Sequence, residues 1–241
     1  MRLDVYLFEN GLTDSRTEAK GFIIEGAVTV DGAVVTKPSF DVGSESSVEI
    51  DKSSKKYVSR GGLKLEAALA AFDANPSGRL SIDIGASSGG FTDCLLKNGA
   101  AHVIAIDSGS MQLSPSLSAD KRVTSVENCN ARYLSRDMLE YTPSFAVMDV
   151  SFISATYIIR PIFEVLESGS DFICLIKPQF EVGRANIGKS GIVKDEKARQ
   201  GALKTVIEFA KGVGFSFLGS IVSPIKGGDG NIEYLAHFRK E

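Results

Sequence analysis

The chain has 241 residues, of which 43% are hydrophobic, and a formal net charge of −3. That length suits a small domain joined to a larger one, and that apolar content builds a core without help from metals or disulfides. A weakly acidic total argues against a chain that holds nucleic acid by bulk charge, and no apolar run reaches the roughly eighteen residues a membrane-spanning helix needs.

The opening Met1-Arg2-Leu3-Asp4 has neither a charged region nor an apolar stretch of the secretory type, so a cytoplasmic protein is expected. Cys94, Cys129 and Cys174 lie far apart with no C-x-x-C pair, which predicts reduced core thiols and no metal site.

In chain order, Leu3, Val5, Leu7 and Phe8 suit a short amphipathic helix ending near Asn10-Gly11. Ser15 followed by Glu18 has the capping-box spacing and predicts a helix through about Glu25, closed by Gly26. Val28–Val30 and Ala33–Thr36 flank Asp31-Gly32, a strong hairpin signal, and Val48–Ile50 supplies another strand. Two helices and a tight hairpin in this span resemble the S-four RNA-binding domain. The resemblance implies RNA-facing side chains on the second helix and hairpin, where Arg2, Arg16, Lys20 and Lys37 stand. Residues 1–60 hold eight Lys/Arg against ten Asp/Glu, so any grip on RNA must come from a one-sided patch.

Lys52, Lys55, Lys56, Arg60 and Lys64 form a basic run without an acid among them, across the polar linker Ser53-Ser54-Lys55-Lys56. A run of this kind is ordinarily a solvated face; between two domains, Arg60 becomes a further candidate RNA contact. The division expected is an RNA-binding module at 1–56 and a catalytic domain at 57–241. A helix carrying Leu65, Ala68, Leu69 and Phe72 ends at Asn75-Pro76-Ser77-Gly78.

Beyond it, strands at 80–84, 102–106, 123–126, 145–150 and 171–176 alternate with helices near 91–99, 111–119, 154–167 and 195–213, and two late strands follow at 215–220 and 234–238. Fully apolar strands separated by crossovers predict an α/β, mainly parallel, doubly wound sheet, with its functional crevice at the strands' carboxyl ends.

Asp83-Ile84-Gly85-Ala86-Ser87-Ser88-Gly89-Gly90-Phe91 follows the first of these strands directly. Glycines at a strand-to-helix turn let backbone approach a ligand closely. There is no P-loop lysine, and the spacing is not G-x-G-x-x-G, whose absence disfavours a nicotinamide-dependent oxidoreductase. The loop is similar to the S-adenosylmethionine loop of class I (Rossmann-like) methyltransferases. Asp107, at the end of the next strand, is placed to accept from both ribose hydroxyls of a bound adenosine, or is simply a solvated strand end.

Asp149 and Lys177 follow two later strands, Lys64 precedes the first, and Glu233 stands at the entrance of the last. This order of Lys, Asp, Lys and Glu resembles the catalytic tetrad of the FtsJ-like ribose 2′-O-methyltransferases. A ribose hydroxyl is a poor nucleophile, and a desolvated lysine crowded by cations is fit to act as its base. Lys177 takes that role, Lys64 steadies the oxyanion, and Asp149 and Glu233 orient the lysines.

The stretches YVSRGGLKLE, DIGASSGGFTDC, VMDVSFIS, LIKPQFEVG and SPIKGGDGNIEY resemble the bacterial haemolysin-A-type (TlyA) family of ribosomal RNA methyltransferases over essentially the whole chain. The resemblance implies 2′-O-methylation of cytidine in ribosomal RNA, the large subunit favoured, with S-adenosylmethionine as cofactor. It also implies that Phe152 packs on the cofactor and that Asn130 lies near its adenine. The chain departs from the family at 108–118: Ser108-Gly109-Ser110-Met111-Gln112-Leu113 replaces the usual Gly-Tyr-Gly-Gln-Leu run, and the aromatic and arginine that follow it are missing. The alternative is a catalytically silent RNA-binding assembly factor. A membrane-lytic role finds no apolar or strongly amphipathic segment to support it.

Overall fold

The computed structural model describes residues 1–24, 26–51, 56–188, 191–227 and 230–241. Glu25, the expected helix end, and Lys52, Ser53, Ser54 and Lys55 of the expected linker lie outside the described residues. The chain forms two compact units, Met1–Arg60 and Gly61–Glu241.

In the first unit α1 (Leu3–Glu9) and α2 (Arg16–Ile24) accompany an antiparallel sheet of order β2-β1-β3, with β1 at Val28–Val30, β2 at Ala33–Val34 and β3 at Val48–Ile50. The Ser15 hydroxyl accepts the Glu18 N–H at 3.1 Å, as the capping box requires. Glu18 returns the bond to the Asp14 N–H at 2.9 Å, one residue earlier than the pattern expects. Asp31 and Gly32 have φ of 52° and 77°, the pair of left-handed residues that a two-residue hairpin with matching twist demands. Leu3, Leu7, Ala19, Phe22, Ile23, Val28 and Val30 form its core.

The second unit is built on a seven-stranded sheet of order β6-β5-β4-β7-β8-β10-β9. Its strands are β4 (Leu80–Ile84), β5 (His102–Ile106), β6 (Val123–Val126), β7 (Phe145–Met148), β8 (Asp171–Ile176), β9 (Phe215–Val222) and β10 (Tyr234–Lys240). The first five are mutually parallel; β10 enters antiparallel between β8 and β9. Every residue of β7 and β8 is buried, as a sheet covered on both faces requires. The longer helices are α3 (Gly61–Phe72), α4 (Gly90–Lys97), α6 (Thr156–Val165) and α8 (Glu196–Val213); α5 (Pro115–Ser118) and α7 (Pro178–Glu181) are single turns. Strand order reverses at β4, which has β5 on one side and β7 on the other, so the carboxyl ends of β4 and β7 bound a switch-point crevice.

The helix expected at 111–119 shrinks to Pro115–Ser118. The segment before it is spent on other bonds: Met111 has φ 53°, and the Met111 and Gln112 N–H groups donate to the Glu127 carboxylate at 2.8 and 3.3 Å. β7 ends at Met148, not Val150, while β9 and β10 run longer than their apolar residues predict. All three cysteines are buried and free. No helix among the described residues is long and apolar enough to cross a membrane, and no cluster of metal-ligating side chains occurs among them.

Candidate active site

Gly85 leaves β4 with φ 83°, and a Cβ there would sit 2.5 Å from the Asp149 carbonyl oxygen. Only glycine permits both that backbone angle and that approach. Gly89, φ 94°, opens α4 against Leu113 and Leu117 on similar terms. Ala86 and Phe91 are buried, so the loop offers a ligand its backbone and not the Phe91 ring. Beneath the loop, Asp83 is fully buried and takes the Thr92 hydroxyl on Oδ2 at 2.7 Å, while Oδ1 has no partner. Burial pushes the Asp83 carboxyl up to about 7 despite the Thr92 bond, and the nearby Asp149 and Asp107 charges add to the rise.

An orphaned buried carboxylate oxygen beside a bare-backbone cradle fits a ligand that carries a cationic group, as S-adenosylmethionine does in its methionine portion. Asp107 accepts the Ser87 N–H on Oδ2 and the Gly109 N–H on Oδ1, both at 2.7 Å. It thereby fastens the glycine loop to the loop after β5, and each oxygen keeps a second lone pair for a ribose hydroxyl. Asn130 spends its carbonyl on the Arg132 N–H at 3.1 Å, capping the short turn Ala131–Tyr133.

The four charges form two ion pairs. Lys64, on α3, donates to Glu233 Oε2 at 2.6 Å, and both side chains are buried. Lys177 Nζ lies 2.6 Å from Asp149 Oδ1 and donates to Ser151 Oγ at 2.7 Å. β7 and β8 are parallel neighbours, which sets the end of one beside the end of the other. β10 runs antiparallel to β8 with Tyr234 opposite Ile176, which brings Glu233 to the level of Lys177. Gln179 adds to the Lys64–Glu233 pair: from α7 it donates to Glu233 Oε1 at 3.4 Å, and its own carbonyl oxygen is buried without a partner among the described residues. Among the described residues each of these lysines meets a carboxylate, where sequence reasoning expects crowding by cations around the base.

Ser151, Gln179 and Glu181 are the residues that sequence reasoning missed. The last two follow Lys177 within one helical turn, a signal that spacing alone offered. Glu181 accepts the Ser154 hydroxyl at 2.6 Å and the Ala155 N–H at 2.8 Å, and burial pushes its carboxyl up. Between these loops Phe152 holds φ 63°, is 91% exposed, and lies with its ring centroid 5.3 Å from that of Phe180. A bulky side chain in that conformation is a genuine backbone outlier.

In the first unit Arg2 and Arg16 both bond to Asp4. Lys20 stands one turn beyond Arg16 on α2, and Lys37 precedes Pro38, whose carbonyl accepts the Asp4 N–H at 3.1 Å. Arg60 is the last residue of this unit and is half-buried.

The FtsJ-like methyltransferase family matches residues 57–240, and the S4 domain matches residues 1–48. Hemolysin A of Brachyspira hyodysenteriae is 44% identical over 99% of both chains. The 16S/23S rRNA (cytidine-2′-O)-methyltransferase TlyA of Mycobacterium tuberculosis is 38% identical over 100% of this chain and 90% of its own. A solved Streptococcus thermophilus structure labelled a hemolysin superposes with a TM-score of 0.80 at 44% identity, covering 100% of this chain and 88% of that one.

Proposed function

The chain belongs to the FtsJ-like methyltransferase family, in the S4-bearing group with hemolysin A and TlyA, and on that footing we propose that it methylates the ribose 2′-hydroxyl of a cytidine in ribosomal RNA, the large subunit favoured, using S-adenosylmethionine. The observation that carries this reading is the pair of lysine–carboxylate contacts, Lys177 with Asp149, whose backbone lies against the Gly85 turn, and Lys64 of α3 with Glu233 at the start of β10. Residues 1–56 hold the RNA and residues 57–241 carry the chemistry.

S-adenosylmethionine supplies a methyl group already activated by its sulfonium, so the protein's task is alignment and charge. Asp83, the Gly85–Gly90 backbone, Ala86, Ser87, Asp107 and Asn130 would hold it, with Phe152 packing on it. Asp149 and Ser151 hold Lys177 Nζ in place until the substrate arrives, and once its ammonium has released a proton to solvent the neutral amine takes the hydroxyl proton. Lys64 faces the oxygen as negative charge develops, with Glu233 keeping its ammonium oriented and Gln179 keeping Glu233 in register. Arg2, Arg16, Lys20, Lys37 and Arg60 meet the RNA backbone.

Purified protein, labelled S-adenosylmethionine and isolated ribosomal subunits test the reading, with 2′-O-methyl marks mapped by nucleotide. Label appearing on a cytidine ribose is the expected result. Unmethylated subunits with a correctly folded protein would favour the silent assembly factor.

A further inference from the structure

Asp4 is fully buried in the unit assigned to grip a polyanion, and both of its carboxylate oxygens are directed at cations. Oδ1 accepts Arg2 Nε at 2.9 Å; Oδ2 accepts Arg2 Nη2 at 3.2 Å and Arg16 Nη2 at 3.0 Å. The arginines stand at the starts of two different helices, Arg2 just before α1 and Arg16 at the start of α2, and each side chain stays 51% exposed. A guanidinium has five N–H donors, so three on Arg2 and four on Arg16 are not spent on Asp4. The Asp4 N–H donates to the Pro38 carbonyl and the Leu3 N–H to the Phe40 carbonyl, at 3.1 and 2.8 Å. The turn that follows Lys37 is therefore tied to the same residue. The Arg2 hydrogen bond, opposed by burial and joined by Arg16, holds the Asp4 carboxyl down at about 2, so it stays ionised at any working pH.

On charge counting this carboxylate is a liability, because it removes one unit of positive charge from a phosphate-binding surface. Geometry supplies the compensation. Two guanidiniums repel each other and are long and flexible; a shared buried anion between them cancels the repulsion and orders both before RNA arrives. We propose that Asp4 is a positioning residue for RNA recognition, locking Arg2 and Arg16 into a preformed clamp for backbone phosphates. The inference rests on the RNA-methylating reading above.

The test titrates full-length wild-type protein and Asp4→Asn with isolated large ribosomal subunits over a salt series, alongside methylation kinetics. Asp4→Asn keeps the shape and raises the positive charge by one. Charge counting then predicts tighter binding and a steeper salt dependence. The clamp predicts the reverse: roughly tenfold weaker binding and a log–log salt slope shallower by about one, with KM raised and kcat at saturation unchanged. Equal or tighter binding by Asp4→Asn overturns the clamp. Should that variant fail to fold, Arg16→Lys decides, since it preserves charge but not the planar fork; it is expected to bind several-fold weaker, and wild-type affinity would overturn the clamp equally. Wild-type protein that neither binds nor methylates subunits would sink the underlying reading, a result distinct from a variant that matches an active wild type.

Discussion

Glu181 accepts the Ser154 hydroxyl at 2.6 Å and so ties the loop that follows β7 to the helix that follows β8. The first of these segments carries Asp149, Ser151 and Phe152, and the second begins at Lys177. Glu181→Ala should therefore loosen the Lys177–Asp149 spacing and lower kcat by roughly tenfold to a hundredfold, since misplacement of about an ångström has that effect. Affinity for S-adenosylmethionine, measured by titration calorimetry, should change little, and Glu181→Gln should recover much of the rate because an amide oxygen can still accept one of the two bonds. Equal rates in all three proteins would remove Glu181 from this role.

Lys177→Ala is expected to reduce methyl transfer by a factor on the order of 10² to 10⁴ while leaving cofactor affinity nearly intact. Single-turnover assays with preformed enzyme–cofactor complex separate the two quantities. Normal turnover would mean that another group accepts the hydroxyl proton.

Gly85→Ala introduces a Cβ 2.5 Å from the Asp149 carbonyl at a residue with φ 83°. The left-handed conformation alone costs an alanine about 1–2 kcal/mol, and the contact forces the glycine loop away from Asp149. Thermal unfolding should report the lost stability, and cofactor affinity should fall with it. An unchanged melting temperature together with unchanged affinity would contradict the close approach.

Two buried aspartates should leave opposite marks on stability against pH. At the amino end of the sheet, burial would raise the Asp171 carboxyl, but bonds from His237, Arg239 and Arg79 outweigh it and hold the group well below the usual carboxylate range. Its contribution is complete above the unfolded-state value near 3.9 and is lost as pH falls toward the native value. Asp83, raised to about 7, does the reverse: the native state keeps a proton that the unfolded chain has released, so stability declines as pH rises from about 4 to about 7. Denaturant titrations of Asp83→Asn should flatten that decline. Asp171→Asn should cost about 1–3 kcal/mol at neutral pH, since it weakens the bonds to His237, Arg239 and Arg79 while the two arginines keep access to water.

Much of this architecture is readable in one dimension because periodicity and turn chemistry are local. Asp31-Gly32 announces its hairpin, the apolar runs at 80–84 and 102–106 announce parallel strands, and the Asp83–Gly90 segment announces a ligand loop. Even the quartet has local cues: Asp149 and Lys177 stand at strand carboxyl ends, which a parallel sheet sends into one crevice, while Lys64 stands on the helix before the first of these strands and Glu233 at the entrance of the last. Where the chain departed from its pattern, at 108–118, local reasoning failed: the predicted helix gave way to N–H bonds on Glu127, a partner at least fifteen residues away.

Partnership is a different matter. That Lys64 meets Glu233 across 169 residues depends on the packing of α3 against β10, while the Gln179 link to Glu233 and the Glu181 hold on the neighbouring loop depend on the register of β10 on β8 and of β8 on β7. The same holds for Asp4, whose sequence neighbours give no hint that it gathers Arg16 as well as Arg2. Spacing states which way a side chain points from its own helix or strand. Which distant charge it then meets is settled by chain closure and by the high cost of leaving a buried ion alone, and neither of those is a local property.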